Sequence, residues 1–307
     1  MNHVVVGIPT YKRPKMLAKL VLSIYKCSLN PEYISKVDIV VVDNDGEKSG
    51  KKTCLELKKE CPELFNIHYY CYPKKGLSNV RNEILNKALK LNPKYIASID
   101  DDEYVTSAWL NELTKTMVNN NADIILAPVI PDFEANIPES ISSCFLQKEI
   151  KNQLQLKTME RSGNYMIRSE FITQNNLSFD TRFNTTGAED TFFGIQAVKK
   201  NAQIFWAAKA IAFETIPKSR STFSWLFKRR YRTANTYTFI ILIEKKYNLI
   251  FKKLIMIFFH FIVGILGSLI LPFNTKNRYY GPLKLAESFG AFSSLINIKY
   301  HEYSKVR

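Results

Sequence analysis

An α/β fold with a mainly parallel sheet flanked by helices is what the first third of this 307-residue chain predicts, with a helical, membrane-associated C-terminal extension behind it. Strand-like runs alternate with helical periodicity in the order β-α-β-α-β-α-β. The chemically distinctive residues fall where those strands end, which is where open α/β sheets bind ligands. The last third then changes character, becoming basic and rich in long apolar runs. The organisation expected is one domain over residues 1–225 and a basic, apolar helical region over 226–307.

Val4 to Pro9 reads as a buried strand, and Pro14 to Tyr25 carries apolar residues at Met16, Leu17, Leu20, Val21, Ile24 and Tyr25, a helical spacing. Val37 to Val42 is the second strand, stopped by Asp43-Asn44-Asp45-Gly46. Thr53 to Glu63 reads as a helix and Phe65 to Tyr72 as the third strand. Ser78 is placed to N-cap a helix over Asn79 to Leu91, and Tyr95 to Ile99 supplies the fourth strand. Thr10, Tyr11 and Arg13 follow strand one, Asp43 strand two, Lys75 and Gly76 strand three, and Asp100 to Asp102 strand four. Neither G-x-G-x-x-G nor G-x-x-x-x-G-K-[ST] occurs, which excludes a P-loop and argues against a dinucleotide site.

Two acidic clusters stand out, Asp100-Asp101-Asp102-Glu103 and Glu189-Asp190. Three aspartates at a strand end repel one another in a small volume unless a cation sits there. Hard divalent ions such as Mg²⁺ or Mn²⁺ take such oxygens and complete their shell with phosphate, so a diphosphate substrate is implied. The competing reading is a solvated acidic turn, or charge favouring the dipole of a helix near Ser107 to Leu110. Glu189-Asp190 reads as a catalytic base, or as acids favouring a helix start.

Hydrophobic residues make up 46% of the chain, ample for a core, and the formal charge is +15. Residues 1–200 are nearly balanced, whereas residues 201–307 carry 17 Lys and Arg against four Asp and Glu. Those charges are interleaved with apolar runs and lack any nucleic-acid-binding signature, so an anionic membrane surface is the expected partner and nucleic acid is not. Leu254 to Phe273 is nearly unbroken apolar sequence between Lys252-Lys253 and Lys276 with Arg278. About 20 residues can span a bilayer, yet Gly264, Gly267 and Pro272 weaken the helix, so a surface-lying or dipping element is preferred over a single span of 254–273 or a core helix. His260 is expected to be a packed core residue. No secretory signal is read at Met1 to Val6, so the protein is expected to stay in the cytosol, at the cytoplasmic face of the inner membrane. Five cysteines without a CxxC pair are expected to be reduced thiols.

The opening run Val4-Val5-Val6-Gly7-Ile8-Pro9-Thr10-Tyr11-Lys12-Arg13-Pro14, Gly76-Leu77-Ser78-Asn79-Val80-Arg81-Asn82, Asp100-Asp101-Asp102 and Gly187-Ala188-Glu189-Asp190 together resemble an inverting family 2 glycosyltransferase of the GT-A type, over about residues 3 to 235. The resemblance implies a nucleotide loop at Pro9, Thr10, Tyr11 and Arg13, with Asp43 at the nucleobase and Gly76 and Arg81 at a G-x-x-x-x-R-N helix start. Asp100, Asp101 and Asp102 match a DXD motif. Asp102, with Asp100, is the expected ligand of Mn²⁺ or Mg²⁺, and Asp101 would bind ribose or sugar. Asp190 is the expected base, with Glu189 orienting it or taking its place. Ser162 to Arg168 resembles the strand flooring the sugar pocket, putting Asn164 at donor or acceptor. Trp225 to Arg232 resembles a basic, aromatic lid, so Arg229, Arg230 or Arg232 would close over the diphosphate or else face lipid headgroups.

The expected activity is transfer of a single hexosyl or N-acetylhexosaminyl group from a nucleotide-diphosphate sugar, UDP-linked by preference, to an envelope glycan or glycolipid. The absence of Q-x-x-R-W and of several spanning helices argues against processive polymerisation. The rival readings are an inactive membrane-bound sugar-nucleotide or glycan-binding protein, and a sugar-nucleotide nucleotidyltransferase. The latter fits poorly, because Pro9-Thr10-Tyr11-Lys12-Arg13-Pro14 is not a Gly-rich loop.

Overall fold

The computed structural model describes residues 2–145, 155–159, 163–270 and 277–302. In chain order the elements are β1 (Asn2–Thr10), α1 (Pro14–Tyr25), β2 (Ile34–Asp43), α2 (Lys51–Lys59), β3 (Phe65–Cys71), α3 (Leu77–Leu89), β4 (Tyr95–Ser98), β5 (Glu103–Val105) and α4 (Trp109–Asn119). There follow β6 (Ile124–Leu126), β7 (Val129–Phe133), α5 (Glu139–Ser142), β8 (Gln155–Leu156), β9 (Tyr165–Arg168), α6 (Ser169–Gln174) and α7 (Glu189–Lys199). The chain finishes with β10 (Ile204–Trp206), β11 (Ala212–Ile216), α8 (Phe223–Ile243), α9 (Tyr247–Ile270) and α10 (Tyr280–Leu295). Two compact units result. One comprises Met1–Ile130, Glu149–Asn184 and Glu189–Thr215, the other Pro131–Lys148, Thr185–Ala188 and Ile216–Arg307.

The first unit is built on an eight-stranded sheet of order β3-β2-β1-β4-β9-β6-β10-β8. Its first four strands pair in parallel, as the alternating strand and helix pattern predicts. Beyond β4 the sheet turns mixed, because β9 inserts antiparallel between β4 and β6. Both faces are covered, and the strand residues sort by parity. Val4, Val6 and Ile8 join one core layer with Leu17, Leu20, Ile24, Trp109 and Leu113. Val5, Val40 and Val42 join the other with Val80, Ile84, Phe193 and Trp206. A strand buried on both faces has no polar alternation, which is why these runs read as continuous apolar sequence. Each such side chain contributes roughly 1.5–3 kcal/mol by leaving water.

Helix α1 starts at Pro14, where a fixed φ and a missing N–H suit the first helical position. Helix α2 ends at Lys59, four residues short of the expected Glu63, and Pro62 makes a continuation through Cys61 unfavourable. Ser78 is not the N-cap of α3. The helix begins at Leu77, and Ser78 lies inside its first turn with its hydroxyl donating to the Asp180 carbonyl at 2.7 Å. The capping atoms come from Asn184, whose carbonyl accepts from Leu77 N–H and whose Oδ1 accepts from Asn79 N–H at 3.1 Å. Gly76 is required beneath it. Its φ is +122°, and a Cβ there would collide with the Asn184 side chain.

In the second unit α10 packs against both α8 and α9. Asn235 on α8 is buried, and the two hydrogens of its amide are shared among the Gly290 carbonyl, the Ser293 hydroxyl and the Ile298 carbonyl. Phe145 stacks on Trp225 at 5.8 Å over a small core of Ile141, Ile216, Leu226 and Leu283. Helices α9 and α10 touch backbone to backbone, since a Cβ on Gly267 would lie 3.0 Å from the Gly281 Cα. All five cysteines are free thiols.

Candidate active site

At the carboxyl end of β1 the chain delivers Thr10 and Arg13 to the triplet that follows β4. Thr10 Oγ1 donates to Asp101 Oδ2 at 2.8 Å. Arg13 forks, with Nη1 at 3.0 Å from Asp101 Oδ1 and 2.9 Å from Asp102 Oδ2. Both oxygens of Asp101 are therefore held, and the residue is buried. Burial pushes its carboxyl up to about 6, against the opposing pull of Arg13. Burial alone would lower the Arg13 guanidinium, but Asp101 and Asp102 outweigh it and the net shift is upward.

Arg81, on the inward face of α3, joins the two acidic clusters that the sequence separates. Its Nε donates to Glu189 Oε1 at 2.8 Å and its Nη2 to Asp100 Oδ1 at 3.0 Å. Its Nη1 reaches Ser98 Oγ at 3.2 Å. The side chain is 4% exposed, so the guanidinium stands inside the protein and braces carboxylates. Its pKa lies well above the ordinary arginine value: desolvation pulls it down, and Asp100, with Tyr165, Glu189 and Asp190, more than compensates.

Gly187 and Ala188 both adopt left-handed φ, +75° and +66°, and turn the chain into α7, whose first residues are Glu189 and Asp190. A non-glycine residue in that region stores strain of order 1–3 kcal/mol, a feature that gathers at functional sites. Burial raises the Glu189 carboxyl to about 7, Asp190 adds to the effect and Arg81 opposes it. Glu189 Oε2 is buried without a hydrogen-bond partner. Asp190 is more accessible, at 9%, and its Oδ1 accepts from Thr191 N–H at 2.6 Å. Asp100 is raised by desolvation, Asp102 and Asp190 against Arg81, and Glu103 is raised further by burial among Asp100, Asp102 and Glu214.

The other expected site residues are distributed differently. Asp43 is fully buried and closes its own turn: Oδ1 accepts from Asp45 N–H at 3.0 Å, and Oδ2 accepts from Gly50 N–H at 2.8 Å and Tyr69 Oη at 2.9 Å. Asn164 has its amide donors on the Pro128 and Ala210 carbonyls and its Oδ1 on Trp109 Nε1, all within 2.9 Å. It ties β9 to α4 and the loop before β11. Pro9 stands opposite Val42, Thr10 ends the β1 ladder opposite Asp43, and Tyr11 follows in the turn. Ser162 lies outside the described residues.

In the second unit Arg229 lies over the Trp225 and Phe145 rings, Arg230 pairs with Glu287 at 3.3 Å and Arg232 with Glu302 at 2.9 Å. His260 is no core residue. It is half-buried, with Nδ1 3.4 Å from Glu287 Oε2.

Ser98 and Tyr165 were not foreseen. Both flank Arg81, and burial pushes the Tyr165 phenol up to about 12. Ser98, a polar residue in an otherwise apolar strand, was the one available signal.

Among the described residues no group of three or more His, Cys, Asp or Glu is arranged to hold a metal by itself. Asp100 and Asp102 nonetheless fit a hard divalent ion that takes only one or two protein carboxylates and fills its shell from phosphate. Desolvation raises Asp100 and the Asp102 charge raises it further, and such an ion would relieve both.

A sugar-transferring enzyme of the GT-A type is the class this fold and site define. The description "Glycosyl transferase family 2" matches residues 5–185, more than half of the chain, and the protein belongs to that family. It is 28% identical over 238 residues to the succinoglycan biosynthesis protein ExoM of Rhizobium meliloti, covering 76% of this chain and 74% of that one. It is 27% identical over 192 residues to the uncharacterized glycosyltransferase EpsJ of Bacillus subtilis, covering 58% of this chain and about half (52%) of the relative. Among solved structures, the fold is shared with S. aureus TarS 1-349 in complex with UDP-GlcNAc, at TM-score 0.54 and 16% identity over 98% of this chain and 93% of that one. The UDP complex of the same protein gives TM-score 0.55 at 15% identity, covering 97% and 92%.

Proposed function

We propose that this glycosyltransferase moves a single sugar from a UDP-linked donor to an envelope glycan or glycolipid, with inversion, at the cytoplasmic face of a membrane. The observation that carries the reading is the network through Arg81, which holds Asp100 and Glu189 on one guanidinium and so brings the diphosphate end and the base end of the reaction together. The sugar-nucleotide bound in the shared fold supports the donor, and a relative named for succinoglycan biosynthesis supports the acceptor class.

Pro9, Thr10, Tyr11, Arg13 and Gly76 border the donor, and the turn closed by Asp43 receives the nucleobase. Asp101, fixed by Thr10 and Arg13, lies beside the ribose. Asp102 and Asp100 are the residues that would hold Mn²⁺ or Mg²⁺. The bound ion supplies Lewis-acid stabilisation of the charge gathering on the leaving nucleoside diphosphate. Asp190 takes the proton of the acceptor hydroxyl as its oxygen attacks the anomeric carbon opposite the departing diphosphate. Glu189, anchored by Arg81, fixes the start of α7 and thereby the position of Asp190. Helix α9, 24 residues long with most apolar side chains uncovered, holds the enzyme at the membrane, lying on the bilayer rather than crossing it.

Calorimetric titration of UDP with and without Mn²⁺ tests the donor site: the wild type binds with the metal, and Asp102→Ala loses that dependence. UDP binding indifferent to Mn²⁺ would remove the metal from the mechanism. Asp190→Asn keeps UDP binding while transfer falls at least about 10²-fold, and surviving transfer would move the base elsewhere.

A further inference from the structure

In the second unit α8, α9 and α10 enclose a cavity of about 230 Å³ lined by Arg230, Tyr237, Lys253, Met256, His260 and Glu287, among others. Two cations pair with its single carboxylate, Glu287, and a third lines the same cavity. Lys284 Nζ lies 2.7 Å from Glu287 Oε2 and Arg230 Nη1 3.3 Å from Oε1. Lys253 lines the same cavity, with Nζ 5.4 Å above the Tyr237 ring. The count leaves two positive charges uncompensated, before any proton on His260. A partly enclosed excess of that kind is a site for an anion.

The surroundings say what carries the anion. Lys253 and His260 project from α9, whose Phe258, Phe259, Leu269 and Ile270 are 60–70% exposed. A helix with that much uncovered apolar surface lies in the boundary between headgroups and acyl chains. Basic side chains on such a helix attract anionic headgroups. The cavity is smaller than the roughly 300–1,000 Å³ that enclose a whole drug-sized ligand, and it suits a headgroup whose tails stay outside. The geometry points to a lipid-phosphate site: Arg230, Lys253 and His260 receive the phosphate of a lipid, Lys284 holds Glu287 beside them, and α9 lies along the acyl chains. This rests on the membrane reading of α9, and the test separates the two.

Flotation with vesicles of phosphatidylcholine alone, and of phosphatidylcholine with phosphatidic acid, reads the partition coefficient of the full chain. The wild type binds the neutral vesicles weakly and the phosphatidic acid vesicles much more tightly. Arg230→Ala/Lys253→Ala weakens the second by at least about a hundredfold, because two charge-assisted phosphate contacts are lost. The exposed pair Lys245→Ala/Lys246→Ala loses clearly less. Glu287→Gln, which removes the internal carboxylate, tightens binding, a gain that misfolding cannot mimic. Equal losses in the two lysine and arginine pairs, or no gain with Glu287→Gln, would overturn the site while leaving membrane association standing. No binding to either vesicle would overturn both. Inorganic phosphate, added as competitor, releases the protein only at high concentration; release at micromolar levels would assign the cavity to a soluble anion and sink the lipid assignment.

Discussion

In the first unit one guanidinium, Arg81, serves Asp100, Glu189 and Ser98; in the second, one carboxylate, Glu287, serves Arg230, Lys284 and His260. The plans are alike and the signs opposite. Around Arg81 the carboxylates outnumber the cations, and around Glu287 the cations outnumber the carboxylate, so each cluster calls for a ligand of the scarcer sign. What separates them is water. Arg81 and Glu189 are 4% and 1% exposed, whereas Arg230 is 43% and Lys284 23% exposed. A buried centre is expensive to break and slow to rearrange, while a half-wet one can exchange its partner for an incoming anion.

The sharpest way to break this comparison is Arg81→Met. Glu189, 1% exposed, loses its counter-charge in a buried site while Asp100, 36% exposed, loses it at the edge of water, and unfolding in urea shows a loss of about 3–5 kcal/mol. The loss shrinks at acid pH, where protons replace the guanidinium. A loss below about 1 kcal/mol at neutral pH would mean that the carboxylates are already protonated.

Glu189→Gln follows. The folded chain keeps a proton on Glu189 up to about pH 7, whereas an unfolded glutamate releases it near 4.5, so the folded state loses stability as pH rises through that window. A shift of that size corresponds to about 3 kcal/mol. Thermal melts between pH 5 and pH 8 show a flatter stability profile for Glu189→Gln than for the wild type. Parallel profiles would place the proton on another carboxyl.

The smallest effect belongs to Glu287→Gln. Its half-exposed ion pairs are screened, and the variant loses about 1 kcal/mol or less. Added salt narrows the difference from wild type. A loss as large as that of Arg81→Met would abolish the distinction.

The parallel half of the sheet was legible because strands covered on both faces leave unmistakable apolar runs, and α1 was legible to the residue because Pro14 marks its start. The insertion of β9 between β4 and β6 was not, since antiparallel pairing across the 67 positions from Ser98 to Tyr165 leaves no local trace. The acidic clusters were visible, and so was Arg81 as part of a pattern, but its partner Glu189 lies 108 positions away. Asp43 and Asn164 were visible as polar residues, but their internal hydrogen bonds were not. Their residue types suit ligand contacts equally well as internal hydrogen bonds, and only burial separates the two.

The Asn184 cap on α3 bears on synthesis. As the chain emerges, β1 to β4 have most of their sheet partners early, because their pairings are local to the first hundred residues or so. Helix α3 lacks its capping atoms until residue 184 arrives, a hundred positions later. Arg81 waits with it for Glu189. A nascent chain therefore has the framework of its sheet well before it can hold its acidic centre in order, and that late closure comes only after loop-closing contacts of high sequence separation.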